Sequence, residues 1–167
     1  MKLYFGLHTS DKELGFTPES ELMGYQDFLA PKERTHIAKL TMINDQGDEF
    51  SIIDEMWHFA LHLGRFGLER IMKGETYTYS NMMSGRLTEF VTEGDWITIK
   101  SEENKEIRCD KYAFIEQMFD CGTRYFDLLE RLPHLGHEQS VAIFKSMVVE
   151  TEKLIEDYIN TAGNSSD

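Results

Sequence analysis

The chain has 167 residues, 41% of them hydrophobic, with 11 Phe, 7 Tyr and 2 Trp; that is enough apolar side chain for one domain with its own core, and it excludes an acidic disordered chain. Seventeen Lys and Arg stand against 30 Asp and Glu, a net charge of −13, and a field of that sign repels nucleic acid and draws in basic surfaces. Direct nucleic-acid binding is further disfavoured because no Lys/Arg cluster is present to neutralise phosphates.

The elements follow in chain order. Leu3, Tyr4, Phe5 and Leu7 form a short apolar run closed by Thr9, Ser10 and Asp11, which reads as a buried strand. Thr17 before Pro18 and Glu19 has the pattern of a helix start, so residues 18–29 are expected to be a short helix ending before Pro31. Residues 36–43 are rich in β-compatible side chains and end at Asn44, Asp45, Gln46 and Gly47, a turn-forming cluster that closes a second strand. From Ser51 to about Lys73, Ile52, Ile53, Met56, Trp57, Ala60, Leu61, Leu63, Leu68 and Ile71 recur at helical spacing, which predicts one long helix stopped at Gly74.

Residues 76–79, 86–92, 95–100 and 106–109 are short β-prone runs, the last three separated by Glu93-Gly94 and by residues 101–105. They predict a small antiparallel meander. Asp110 is placed to cap a helix over residues 111–132, in which Phe114, Met118, Cys121, Tyr125, Leu128 and Leu132 line one face before Pro133 ends it. A last helix runs from Glu138 to about Ile159, with Val141, Phe144, Val148, Thr151, Ile155 and Tyr158 on one side. The order of strand, helices, strands and two long helices is not a βαβ alternation, so the expected class is α+β: a mostly antiparallel sheet with several helices packed on it. Residues 1–161 are read as a single domain and 162–167 as a flexible C-terminal tail.

Few residues point to chemistry. Glu55, His58 and His62 sit at spacings that put a carboxylate and two imidazoles on one helical face, the pattern of a metal ligand set. Phe59 stands where the H-E-x-x-H motif of zinc peptidases carries its glutamate base. The competing reading is a solvated stripe of Asp54, His58, His62, Arg65 and Glu69 laced by ion pairs. His134 and His137 flank Leu135-Gly136 between the last two helices, and His8 and His36 lie near strands; all four read as ordinary surface histidines. No G-x-S-x-G elbow or other nucleophile signature, no phosphate-cradling glycine loop and no EF-hand loop occurs. Cys109 and Cys121 lack the spacing of a redox or zinc pair and read as small buried hydrophobes. The expectation is a protein that is not an enzyme and has no cofactor.

Acidity is uneven: −4 up to Lys73 and −9 from Gly74 onward. Within the second part, Glu89, Glu93, Asp95, Glu102, Glu103 and Glu106 form a candidate acidic rim, and Tyr79 and Trp96 are candidate aromatic anchors for a basic partner. The alternative is a solvated, merely solubilising face. No leader-like segment and no apolar run of roughly 18 residues is found, because His58, His62, Arg65 and Glu69 break the longest one. A cytoplasmic protein without membrane contact is expected.

The run from Ile53 to Leu129 carries a resemblance. A helix ending Ile71-Met72-Lys73-Gly74, short strands with Gly94-Asp95-Trp96-Ile97-Thr98-Ile99, and a helix opening Lys111-Tyr112-Ala113-Phe114 together resemble the small acidic immunity proteins that bacteria encode beside polymorphic or contact-dependent toxins. The resemblance spans about half the chain and implies a bacterial protein that binds a cognate toxin, a basic nuclease being the best match to the charge, and occludes its active site or an essential surface. It carries no contact residues over, since such proteins bind through divergent surfaces. Three other readings stay open: a metal-dependent enzyme using Glu55, His58 and His62, a structural or adaptor protein that self-associates through an apolar face of its last two helices, and an acidic mimic of double-stranded nucleic acid.

Overall fold

Alternation of buried and exposed side chains builds the first layer. The computed structural model describes residues 1–9, 15–25, 29, 36–132 and 138–163. Strand β1 (Lys2–His8) turns Leu3, Phe5 and Leu7 inward. It pairs antiparallel with β2 (Phe16–Pro18) on one side and with β3 (Ile37–Ile43) on the other, and β3 pairs in turn with β4 (Glu49–Glu55), giving the order β2-β1-β3-β4. The β3–β4 turn is closed by Asn44, whose Oδ1 accepts from the amides of Gln46 and Asp48, while Gly47 takes a left-handed φ of 89°.

Two predicted boundaries change here. Thr17 and Pro18 belong to β2, and the segment behind them is a 3₁₀ helix (Glu19–Tyr25) anchored by buried Leu22; of the expected 18–29 helix, residues 26–28 lie outside the described residues. The long helix predicted from Ser51 begins only at Met56, because Ser51 to Glu55 are the end of β4. Phe50, Ile52 and Asp54 are buried while Glu49, Ser51 and Ile53 are exposed, a period of two that only pairing with β3 separates from helical spacing.

Helix α1 (residues 56–72) then has three parts: an α-helical start (Met56–His58), a π-helical segment (Phe59–Gly67) and an α-helical end (Leu68–Met72). Its inward residues Phe59, Leu63 and Gly67 are four apart, and four residues overshoot one α-turn by about 40°. The wider π turn keeps those residues closer to one line, and the Leu68 amide reaches the Leu63 carbonyl across it. Gly67 is obligatory by contact: a Cβ there would lie 2.9 Å from Cε1 of Tyr77 and 3.1 Å from the His62 carbonyl.

The second layer is the expected meander. β5 (Tyr77–Ser80), β6 (Leu87–Glu93), β7 (Trp96–Ser101) and β8 (Glu106–Asp110) pair antiparallel in sequence order. Tyr79, Phe90, Ile97, Ile99, Ile107 and Cys109 form its inner face. Helix α2 (Lys111–Arg131) is capped as expected, with the Asp110 carboxylate accepting from the Ala113 amide at 2.8 Å, and packs on β1, β7 and β8. Helix α3 (Glu138–Gly163) runs along α2 and extends past the expected end at residue 159; residues 164–167 lie outside the described residues. Phe144 fixes it, with ring centroids of Tyr125, Trp57 and Phe126 at 5.4, 5.7 and 6.3 Å. The apolar stripe of α2 and, on α3, Phe144 and Ile155 are thus turned into the core, while Ile143, Val149 and Ile159 of α3 stay exposed. The whole is a single α+β domain, and among the described residues no helix is long and apolar enough to cross a membrane.

Candidate interaction face and a buried acid–histidine network

Among the described residues, helices cover only the inner side of the β5–β8 sheet, and strand register decides what the other side carries. Across it run the rows Thr78–Glu89–Lys100–Glu106, Val91–Thr98–Arg108 and Glu93–Trp96–Asp110. Glu89, Glu93, Trp96 and Glu106 are therefore brought together on one exposed face, where Trp96 is 47% accessible. Two cations of the chain interleave with them. Lys100 stands opposite both Glu89 and Glu106, and the Arg108 guanidinium lies 5.0 Å from the Trp96 ring centroid in a cation–π contact.

The remaining expected contact residues separate. Asp95 is in the β6–β7 turn at the Trp96 end, its carbonyl accepting from the Lys111 amide. Glu102 and Glu103 are in the β7–β8 turn at the other end, about 20 Å away by strand length. There they line a cleft of about 530 Å³ between β4 and the ends of the second sheet, together with Lys39, Glu49, Arg86 and Lys105. Glu103 is paired with Arg86 and Glu49 with Lys39, so the rim is two clusters, each partly neutralised by the chain's own cations.

Tyr79 is a correction. It has no exposed surface and cannot anchor a partner. Its hydroxyl donates to Asp54 Oδ2 at 2.6 Å, inside a network that sequence reasoning placed on a solvated helix stripe. Asp54 lies on β4, is itself fully buried, and also accepts from His58 Nδ1 at 2.9 Å and from the amides of Met82 (2.8 Å), Glu55 (2.9 Å) and Met83 (3.3 Å). Burial alone raises a carboxyl, but the hydrogen bonds from Tyr79, Met82, His58 and Glu55 outweigh it and hold Asp54 below the ordinary carboxylate value. Burial, reinforced by the Asp54 charge, pushes the Tyr79 phenol in the opposite direction.

His58 and His62 do share a side of α1, with ring centroids 4.3 Å apart. Glu55 does not complete them as a metal set: among the described residues no group of three or more His, Cys, Asp and Glu is arranged to hold an ion. Further along, Arg65 pairs with Glu69 at 3.0 Å as the i,i+4 pattern predicts. Cys109 and Cys121 are buried thiols; burial raises Cys109 to about 12 and Cys121 well above the free-thiol value, which leaves both without nucleophilic thiolate.

No family model, curated protein or solved structure matches the chain.

What sequence reasoning missed is the end of the face near β5 and β6. Met82 and Met83 are exposed on the turn between those strands, and Leu87, the first residue of β6, is exposed as well. The turn is fixed from below, since Asp54 holds the two methionine amides, Asn81 Oδ1 accepts from the Ser84 amide, and Asn81 Nδ2 donates to the Ile53 carbonyl at 2.7 Å. The available signal was two methionines between Asn81 and Ser84-Gly85, an apolar pair inside a turn sequence.

Proposed function

We propose that this chain is a binding protein that neutralises a basic protein toxin, as a bacterial immunity protein does, and that the outer face of the β5–β8 sheet is the surface that meets it. The observation that carries this reading is the exposed sheet face itself, with Glu93 opposite exposed Trp96 and Glu89 and Glu106 two rows further along the same face. An aromatic centre with a charged rim is the usual anatomy of a protein interface. The net charge of −13 supplies the long-range attraction that speeds encounter with a basic partner. Exposed Leu87, and exposed Met82 and Met83 on the neighbouring β5–β6 turn, offer apolar surface at the end of the sheet away from Trp96, and unbranched methionine side chains adapt to irregular surfaces.

The test is capture followed by reconstitution. The tagged chain retrieves a partner from its native lysate at low salt, and that partner is then expressed alone and together with this chain. The reading expects a basic protein, recovered in equal amount and released at high salt, that arrests growth alone and not in co-expression. A captured protein that is harmless when expressed alone contradicts it.

A further inference from the structure

We propose that His58 and His62 form a two-imidazole site for a late first-row divalent metal ion such as zinc, copper(II) or nickel(II), with Asp54 holding His58 in the ligating tautomer from behind. This inference stands apart from toxin neutralisation.

The argument begins with proton placement. Tyr79 has one hydroxyl proton and directs it to Asp54 Oδ2 at 2.6 Å. His58 Nδ1 lies 2.9 Å from that same carboxylate oxygen and 2.9 Å from the Tyr79 oxygen. Neither neighbour has a proton to offer Nδ1, so Nδ1 carries and donates a proton, and Nε2 is the nitrogen left to bind a metal. A carboxylate behind a histidine, fixing its tautomer and raising its basicity, is the outer-shell arrangement that metal-ligating histidines share. Asp54 is not itself a ligand: its two oxygens accept from Tyr79, His58, Met82, Glu55 and Met83.

The second imidazole is placed and prepared differently. His62 follows four residues later on the π-helical segment, and its ring touches those of His58 and Phe66. Among the described residues it makes no hydrogen bond, which separates it from His36, whose two nitrogens meet Tyr125 and the Leu29 carbonyl. The nearest cation along the helix, Arg65, is occupied by Glu69 and Glu150. Two imidazoles without a thiolate or a third protein ligand select zinc, copper(II) or nickel(II) over magnesium or calcium, and leave the other coordination positions to water. π-helical turns are uncommon and concentrate at functional sites, and this one begins at the residue after His58.

The chain, purified without a polyhistidine tag and stripped with chelator, is titrated calorimetrically with zinc chloride. A saturable site with one ion per chain is expected, and His62→Gln, which leaves the Asp54 network intact, should weaken it at least tenfold. Absence of binding through the millimolar range overturns the proposal, as does a His62→Gln protein that binds like the parent. Should that variant fail to fold, imidazole nitrogen spectra of the parent chain decide. Zinc must shift His58 Nε2 and a His62 nitrogen, whereas shifts confined to other histidines overturn the site.

Discussion

A carboxylate removed from water loses several kcal/mol of solvation, and Asp54 offsets that loss with donors from four places in the chain: its own strand end, α1, β5 and the β5–β6 turn. One residue thus ties the first sheet to the second. Tyr79→Phe removes the 2.6 Å hydroxyl bond, and a hydrogen bond to a charged group contributes about 1.5–3 kcal/mol. Urea unfolding should show a loss of that size; an unchanged midpoint would mean Asp54 is satisfied without Tyr79. Gly67→Ala tests the other close contact. Alanine is the better helix former by about 1 kcal/mol, yet its Cβ would meet Tyr77 at 2.9 Å, and overpacking of that kind costs about 1–3 kcal/mol. The expected sign is destabilising, and a raised melting temperature would refute the packing argument. At the two cysteines the expectation is inertness: the folded protein should leave both thiols unmodified by a thiol reagent at neutral pH, and both should react once it is unfolded in urea.

Elements differ in how far their residues announced them. The meander was legible because Gly94 and the 101–105 segment punctuate runs of alternating apolar residues, and α2 because Asp110 sits directly ahead of a clean apolar stripe. Strand β4 was not, since Ile52, Ile53 and Met56 fit a helix as well as a strand. The partner strand β3 settles the matter. The misread boundary also hid the site: counted as the first residue of a helical stripe, Asp54 looked solvated, whereas on a strand between Phe50, Ile52 and the core it faces inward. No local pattern signals the π-helical turn, because it answers to Tyr77 packing on Gly67 and to the line of Phe59 and Leu63. Helix α3 depends most on one side chain. Phe144→Ala empties the space among Trp57, Tyr125 and Phe126 and should cost about 3–5 kcal/mol, measured by thermal or urea unfolding.

For the molecule as a whole, register converts composition into a surface. The sequence count of acids named six residues, and the sheet selects among them: Glu89, Glu93 and Glu106 share the uncovered face with Trp96, while Glu102 and Glu103 turn toward the cleft beside β4. Aromatic candidates divide in the same way, Tyr79 inward and Trp96 outward. Periodicity alone carries that distinction only where the strand phase is known, and the phase is set by the inner residues Phe90, Ile97 and Ile99. Exposed charges far from the core contribute little to stability, so their reversal should act chiefly on encounter, the new lysines opposite Lys100 costing about 0.2–1 kcal/mol each. The most direct measurement is the association rate of the captured, purified partner with the parent chain and with the Glu89→Lys, Glu93→Lys, Glu106→Lys variant, across a range of salt. Neutralisation through the sheet face predicts association slowed at least about tenfold at low salt, with the two rates converging as salt rises and both proteins fully folded at the temperature of the measurement. Equal rates at every salt concentration would place the partner elsewhere on the molecule and contradict the account.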